Sequence, residues 1–350
     1  MKRFDFLKPA TLEEALAAWT PGAAWLGGGT NLVDLMKTGA IEPDTVIDVT
    51  RLPGLDAIEV ASDGAIRIGA IVRNSDLAAD PDFARRAPMV AEALLAGASG
   101  QLRNAATVGG NLMQRTRCAW FQDASAACNR RAPGTGCDAR EAGAGLAVLG
   151  WSAQCIATNP SDFAVPLAAL DAVVEVRGPD GARDIPVTEF HLLPGETPDR
   201  ETALAPGELI VALRLPAGAS DFAGHARYLK VRDRTSYAFA MTSAAAALRV
   251  EDGRILEARL ALGAVAAKPW RAVEAETLLT GAPLDDAPFE QAAEAALSGA
   301  APSGDNAWKI DLARRTAARA LRMAAQGTPD RLPALPASPL DDTAGAYAHA

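Results

Sequence analysis

A chain of 350 residues with 49% hydrophobic content has material for two or three packed cores rather than one. Its net charge of −9 and 5% aromatic content argue against the clustered cations and stacking rings of a nucleic-acid surface, so no nucleic-acid partner is expected. The N-terminus lacks the apolar run of a secretory signal, and the longest uncharged stretch, 142–161, holds glycines, amides and Pro160, poor content for a membrane span. No membrane span is expected, and the expected compartment is the cytoplasm.

In chain order, Thr11-Leu12-Glu13-Glu14 has capping-box spacing and predicts a helix with Leu12, Ala15, Leu16 and Trp19 at helical intervals. Pro21-Gly22 ends it, 23–26 reads as a buried strand, and Thr30 stands where it can cap a second helix through Leu35 and Met36 to Gly39. Segments 45–50 and 66–72 read as strands, and 82–98 as one long helix leading to a second glycine loop. Ser161-Asp162 can cap a helix through Leu170, with Pro166 expected to kink or shorten it. Strands 173–177 and 183–187 flank Gly178-Pro179-Asp180-Gly181 as a hairpin, and 208–215 gives another strand. Three strands then follow, 228–231, 241–250 and 254–262, and after them three helices near 270–280, 288–298 and 310–326. Strands followed by helices predict a separate α+β domain. The expected organisation is a first domain over 1–223, a second with a three-stranded antiparallel sheet over 224–327, and a proline-rich extended or disordered tail over 328–350.

Two glycine loops carry the first chemical signal. Gly27-Gly28-Gly29 lets backbone amides approach a ligand, and Thr30 and Asn31 add side-chain donors at a helix start, an arrangement suited to a diphosphate. The spacing is not that of the Rossmann fingerprint. Ala106-Thr107-Val108-Gly109-Gly110-Asn111 repeats the logic, and the two loops reinforce each other only if they meet in space.

The second signal is Cys118, Cys128, Cys137 and Cys155, spaced C-x9-C-x8-C-x17-C. Zinc usually takes pairs of short knuckles, which are missing, and a disulfide framework suits an exported chain. An Fe4S4 cluster needs four thiolates and sets no fixed spacing. Arg115, Arg117, Arg130, Arg131 and Arg140 nearby would offset its negative charge and raise its potential. On the residues alone, cluster, zinc and a plain basic loop all stay open. His191, His225 and His349, the only histidines, fall in no metal or nucleophile motif and read as surface or packing residues.

Taken together, Gly27-Gly28-Gly29-Thr30-Asn31-Leu32, Ile68-Gly69-Ala70, the run Arg103 to Leu112, Pro160 to Val165 and Glu208-Leu209-Ile210 resemble the FAD-binding medium subunit of molybdenum hydroxylases, the xanthine and carbon monoxide dehydrogenase group. The likeness covers most of residues 1–325, with Asn159 standing where many relatives have histidine. The stretch from Arg115 to Cys155 is similar to an insertion that holds an Fe4S4 cluster in a subset including bacterial three-subunit aldehyde dehydrogenases.

The resemblance implies an α+β fold: a two-lobed FAD-binding domain of the vanillyl-alcohol-oxidase type, with lobes of about 1–55 and 56–223 and the insertion at about 113–158, then the C-terminal α+β domain. It implies that Leu26, Gly27, Gly28, Gly29, Thr30, Asn31 and Leu32 hold the diphosphate of FAD. Ala106, Thr107, Gly109, Gly110 and Asn111 would line the flavin, Ser161 and Asp162 the ribityl or adenosine part, and Leu209 and the segment around Met241 the isoalloxazine. The four cysteines would hold the Fe4S4 cluster. The implied role is an electron-transfer subunit of a heterotrimeric aldehyde or xanthine-type dehydrogenase. A molybdenum-cofactor large subunit would oxidise the substrate, a small subunit with two Fe2S2 clusters would pass electrons on, and FAD here would deliver them to an external electron acceptor. Complexes of this kind can be exported folded on a partner's signal, which leaves the periplasm open. A self-sufficient FAD oxidoreductase of the same fold and a flavoprotein with structural zinc are the other expectations.

Overall fold

The computed structural model describes residues 1–330, so the expected tail lies outside the described residues from 331 onward. Three parallel strands open the chain in the order Asp5–Leu7, Thr45–Asp48, Ala23–Leu26, joined by helices Leu12–Ala18 and Leu32–Thr38. The first helix starts where its capping box predicts: Thr11 Oγ1 accepts from Glu14 N at 3.1 Å, and the Glu14 carboxylate accepts from Ala10 N at 2.8 Å. The second ends at Gly39, whose φ of +75° is left-handed. Its N-cap is Asn31 rather than the expected Thr30, and no side-chain cap bond forms there. Asn31 Oδ1 instead accepts from Arg115 N at 2.7 Å, a contact 84 residues away that local sequence does not announce.

A second sheet has five antiparallel strands in the order Ile58–Val60, Ile66–Gly69, Leu209–Leu215, Val173–Gly178, Gly181–Pro186. Its central strand, Leu209–Leu215, is buried along almost its whole length, which explains an apolar run broken only by Arg214. Helices Asn74–Ala79, Pro81–Arg86 and Pro88–Ala96 join its core. The single helix expected over 82–98 is therefore two. Pro88 disfavours helical geometry in the residue before it, and Ala87 sits at φ −134°, ψ 58°. The helix holding Pro166 is Ala164–Ala169; Pro166 is its third residue, where an N–H would have no intrahelical acceptor, so the lost donor expected to kink or shorten the helix costs nothing there.

The third sheet is antiparallel in the order Trp270–Arg271, Arg254–Gly263, Thr242–Glu251, Ala226–Val231. It has four strands, not the expected three. Trp270-Arg271, read from sequence as the start of a helix, pairs with Leu262 and Ala261, and Arg271 is tied to Asp171 and Glu276. Helices Val273–Leu279, Asp286–Ala295 and Ala307–Ala325 close this core, in which Ala313, Ala317, Leu321 and Ala324 meet strand alanines 244 and 246. Small side chains on both surfaces let the long helix lie close to the sheet.

The cysteine segment has only two short turns of helix, Ala119–Gln122 and Asp138–Glu141. Its apolar cluster of Phe121, Ile156 and the cysteines packs on Leu35 of the first layer. From the other side, Asn306 Nδ2 donates to Ala147 O at 3.1 Å, Lys309 Nζ to Leu146 O at 2.6 Å and Trp151 Nε1 to Ala301 O at 2.9 Å. The segment is thus held between the N-terminal layer and the C-terminal helices.

Candidate functional site

The two glycine loops meet. A Cβ on Gly28 would stand 2.0 Å from the carbonyl oxygen of Ala105, and one on Gly27 would stand 2.7 Å from Thr107 Oγ1. Contact between the loops, before any ligand is considered, leaves no room for a side chain at Gly28, where the obstacle is backbone, and crowds one at Gly27. Gly29 adds a backbone need of its own, with φ +73°. Among the described residues, the backbone N–H groups of Gly28, Gly29, Thr30 and Asn31 have no acceptor. They form a run of free donors at the start of a helix, suited to an anion.

Two clefts open on this junction. One, of about 310 Å³, is walled by residues 27–32, Thr107, Gly109, Gly110 and Leu209. The other, of about 650 Å³, takes in Ala106, Asn111 and Asp162. Thr30, Asn31 and Gly110 line both, so the clefts adjoin there. Their sizes fall in the range of small-molecule sites. Three buried polar atoms on the wall of the larger cleft lack a partner among the described residues: Asn31 Nδ2, Asn74 Oδ1 and Arg117 Nε. Buried polar groups are rarely left unpaired, and together these mark where a polar ligand would complete the structure.

Some expected residues stand behind the walls. Leu26 ends its strand and accepts from Val49 N at 3.0 Å. Ser161 is buried; its hydroxyl donates to Asn111 Oδ1 at 2.8 Å and so orients a wall residue. Thr107 Oγ1 accepts from Gly110 N at 3.2 Å, holding the second loop in shape. Met241 lines neither cleft. Asp233, Arg234, Tyr237, Ala238 and Phe239, from the segment before it, line the larger one; Arg103 and Arg117 line it too and were not singled out for this cleft from sequence. Arg117 lies over the Phe239 ring at 4.9 Å, a pairing of residues more than a hundred positions apart. Asp162 faces the cleft with its carboxylate already engaged: Tyr228 OH donates at 2.6 Å and Lys230 Nζ at 2.8 Å. Burial beside that carboxylate drives the Tyr228 phenol well above its usual range.

All four cysteines are free thiols and line one cavity with Trp120, Phe121, Ile156 and Ala157. Cys128 and Cys137 face each other across an antiparallel bridge. Burial pushes the Cys118 and Cys137 thiols up. Among the described residues, no three of His, Cys, Asp and Glu gather as ligands of a single ion. Arg130, 5% exposed, donates from Nε to Cys155 Sγ at 3.4 Å. The histidines take structural places: His191 Nε2 bonds Leu112 O at 2.8 Å, and His225 Nδ1 bonds Ala324 O at 2.9 Å, while His349 lies outside the described residues. Burial pulls His191 down to about 4, leaving it neutral at pH 7.

Glycine loops joined at a cleft with unpaired donors define a dinucleotide-cofactor protein. Residues 2–218 match the model of the FAD-binding domain in molybdopterin dehydrogenase, and residues 227–324 that of the carbon monoxide dehydrogenase flavoprotein C-terminal domain. The chain belongs to this family of FAD-binding oxidoreductase subunits. It is 49% identical to the aldehyde oxidoreductase FAD-binding subunit of Escherichia coli, over 92% of this chain and 98% of that one. A xanthine dehydrogenase FAD-binding subunit, also from Escherichia coli, is 28% identical over 85% of this chain and 88% of its own length. Among solved structures, a chain of quinoline 2-oxidoreductase from Pseudomonas putida matches 93% of this chain and 99% of its own, with TM-score 0.71 and 25% identity.

Proposed function

We propose that this chain is the FAD- and Fe4S4-carrying electron-transfer subunit of a heterotrimeric molybdenum-containing aldehyde or xanthine-type dehydrogenase. In this reading a molybdenum-cofactor large subunit acts on the organic substrate, and a small subunit with two Fe2S2 clusters delivers electrons for passage to an external acceptor. The observation that carries it is the pairing of the glycine-walled cleft with four cysteines around one apolar cavity. Similarity to the aldehyde oxidoreductase subunit over nearly its whole length supports the aldehyde class.

The residues present fit both groups. Free N–H donors at 28–31 suit the diphosphate, and Asn31, Asn74 and Arg117 offer the unpaired polar atoms that the rest of the cofactor would engage. Arg117 and Phe239 close the wall of the larger cleft, and Asn111, fixed by Ser161, presents its amide there. Leu209 supplies an apolar wall to the smaller one. Four thiols lining one cavity suit a cube in which each cysteine meets its own iron. When bound, the flavin exchanges electrons in pairs or singly and the cluster carries one at a time; the chain supplies their position and potential.

The compartment is proposed to be the cytoplasm, or the periplasm if a signal-bearing partner carries the folded complex there. No helix among the described residues is long and apolar enough to cross a membrane.

The test is to purify the full chain anaerobically, quantify FAD, iron, sulfide and zinc, and record visible and electron paramagnetic resonance spectra. The expected result is one FAD with about four iron and four sulfide per chain. One zinc in their place ends the cluster reading. Fast flavin reduction by an aldehyde without partner subunits would favour a self-sufficient oxidoreductase instead.

A further inference from the structure

Between the flavin-side cleft and the cysteine cavity lies a third hollow of about 290 Å³, with Glu201 in its wall. This carboxylate binds two guanidinium groups at once. Arg130 Nη1 stands 2.8 Å from Oε2, and Arg115 donates from Nε to Oε1 at 2.5 Å. Each arginine leads to a different site. Arg130 continues through Nε to Cys155 Sγ, while the Arg115 backbone N–H donates to Asn31 Oδ1 at the junction of the two clefts. The Arg115 guanidinium also lies 4.5 Å from the centre of the Phe121 ring, which lines the cysteine cavity. Glu201 is thus the link in a chain of contacts running from Asn31 to Cys155.

We propose that Glu201 is a positioning residue: it holds the Arg130 guanidinium against Cys155 and so raises the reduction potential of the group that the cysteines bind. This rests on the Fe4S4 reading above. The physical basis is that the buried Arg130 guanidinium is shared between two partners, Cys155 Sγ at 3.4 Å from Nε and Glu201 Oε2 at 2.8 Å from Nη1, so the carboxylate anchors the far side of the fork. A cation donating to a ligating sulfur favours the reduced, more negative cluster.

Positioning and simple proximity differ in the sign of their effect. Were Glu201 only a nearby negative charge, removing it would raise the potential. If it positions Arg130, its removal frees the guanidinium and the potential falls. The experiment is a redox titration of the purified complex, followed by the electron paramagnetic resonance signal of the cluster, for wild type, Glu201→Ala and Arg130→Lys. The expected result is a fall in both variants, by about a tenfold change in the one-electron equilibrium, or about 59 mV. Arg130→Lys keeps the charge and loses the two-sided fork, so it tests the same claim should Glu201→Ala fail to assemble.

An unchanged potential in Arg130→Lys, or a rise in Glu201→Ala, overturns the proposal. Iron and sulfide are measured on the same samples. Their absence from wild type would defeat the cluster reading, whereas their presence with unshifted potentials would defeat the role of Glu201 alone.

Discussion

Gly28 shows how much can rest on a missing side chain. Alanine there would drive Cβ into the Ala105 carbonyl, and the atoms in the way are backbone that cannot swing aside. Gly28→Ala is expected to cost about 1–3 kcal/mol and to lower bound flavin, read by thermal unfolding and by flavin absorbance. Gly100→Ala is the control: nothing lies within 4 Å of its Cβ, and stability and flavin should hold. At His191 the expectation concerns pH. Its folded value of about 4 lies below the ordinary 6.5, so between these limits the unfolded chain binds a proton that the folded chain does not. Stability should fall as pH drops through that window, by up to roughly 3 kcal/mol. Urea unfolding at pH 7 and pH 4.5 checks it: His191→Gln, which can still donate to Leu112 O, should show a smaller drop than wild type. The glycine loops were legible residue by residue, but the reason for Gly27 and Gly28 was not, because the neighbour that crowds or excludes a side chain is about eighty positions away.

At the scale of elements, the strand Ala226–Val231 is fixed to its surroundings by charge as well as by backbone pairing. Lys230 and Asp162 form an ion pair with side chains 3% and 10% exposed, and Tyr228 donates to the same carboxylate. Truncating Asp162 would leave a buried ammonium without its counter-charge. Asp162→Ala is therefore expected to destabilise by about 3–5 kcal/mol in chemical denaturation. A loss below about 1 kcal/mol would show that cleft water already screens the pair. Elements whose cause is local were readable in advance: the capping box at Thr11, the Pro179-Asp180 hairpin, the stop at Gly39. Those that depend on a partner were not. The two-residue strand Trp270–Arg271 exists because Leu262 and Ala261 receive it, and Arg271 finds Asp171 a hundred residues away.

For the whole molecule, the C-terminal helices brace the cysteine segment. Asn306 is fully buried; it donates to Ala147 O and accepts from Ser303 N at 3.0 Å, and its side chain fills the space that a Cβ on Gly145 would need. Asn306→Ala leaves two buried backbone groups unpaired, each costing about 1–3 kcal/mol. The expected result is faster tryptic cleavage within 115–140 together with reduced iron content. Cleavage confined to the C-terminal helices would show that the segment is held from the other side instead.

Residue types alone set the kinds of chemistry available here: backbone donors bared by glycine, and four thiols. The sequence also carried most elements, since caps, turns and periodicity act over a few residues. That the two loops touch, that the four cysteines line one cavity and that Glu201 joins their surroundings became visible in the folded chain. Those facts come from contacts between residues tens to hundreds of positions apart, where the energy lies in packing and charge pairing that no local pattern encodes.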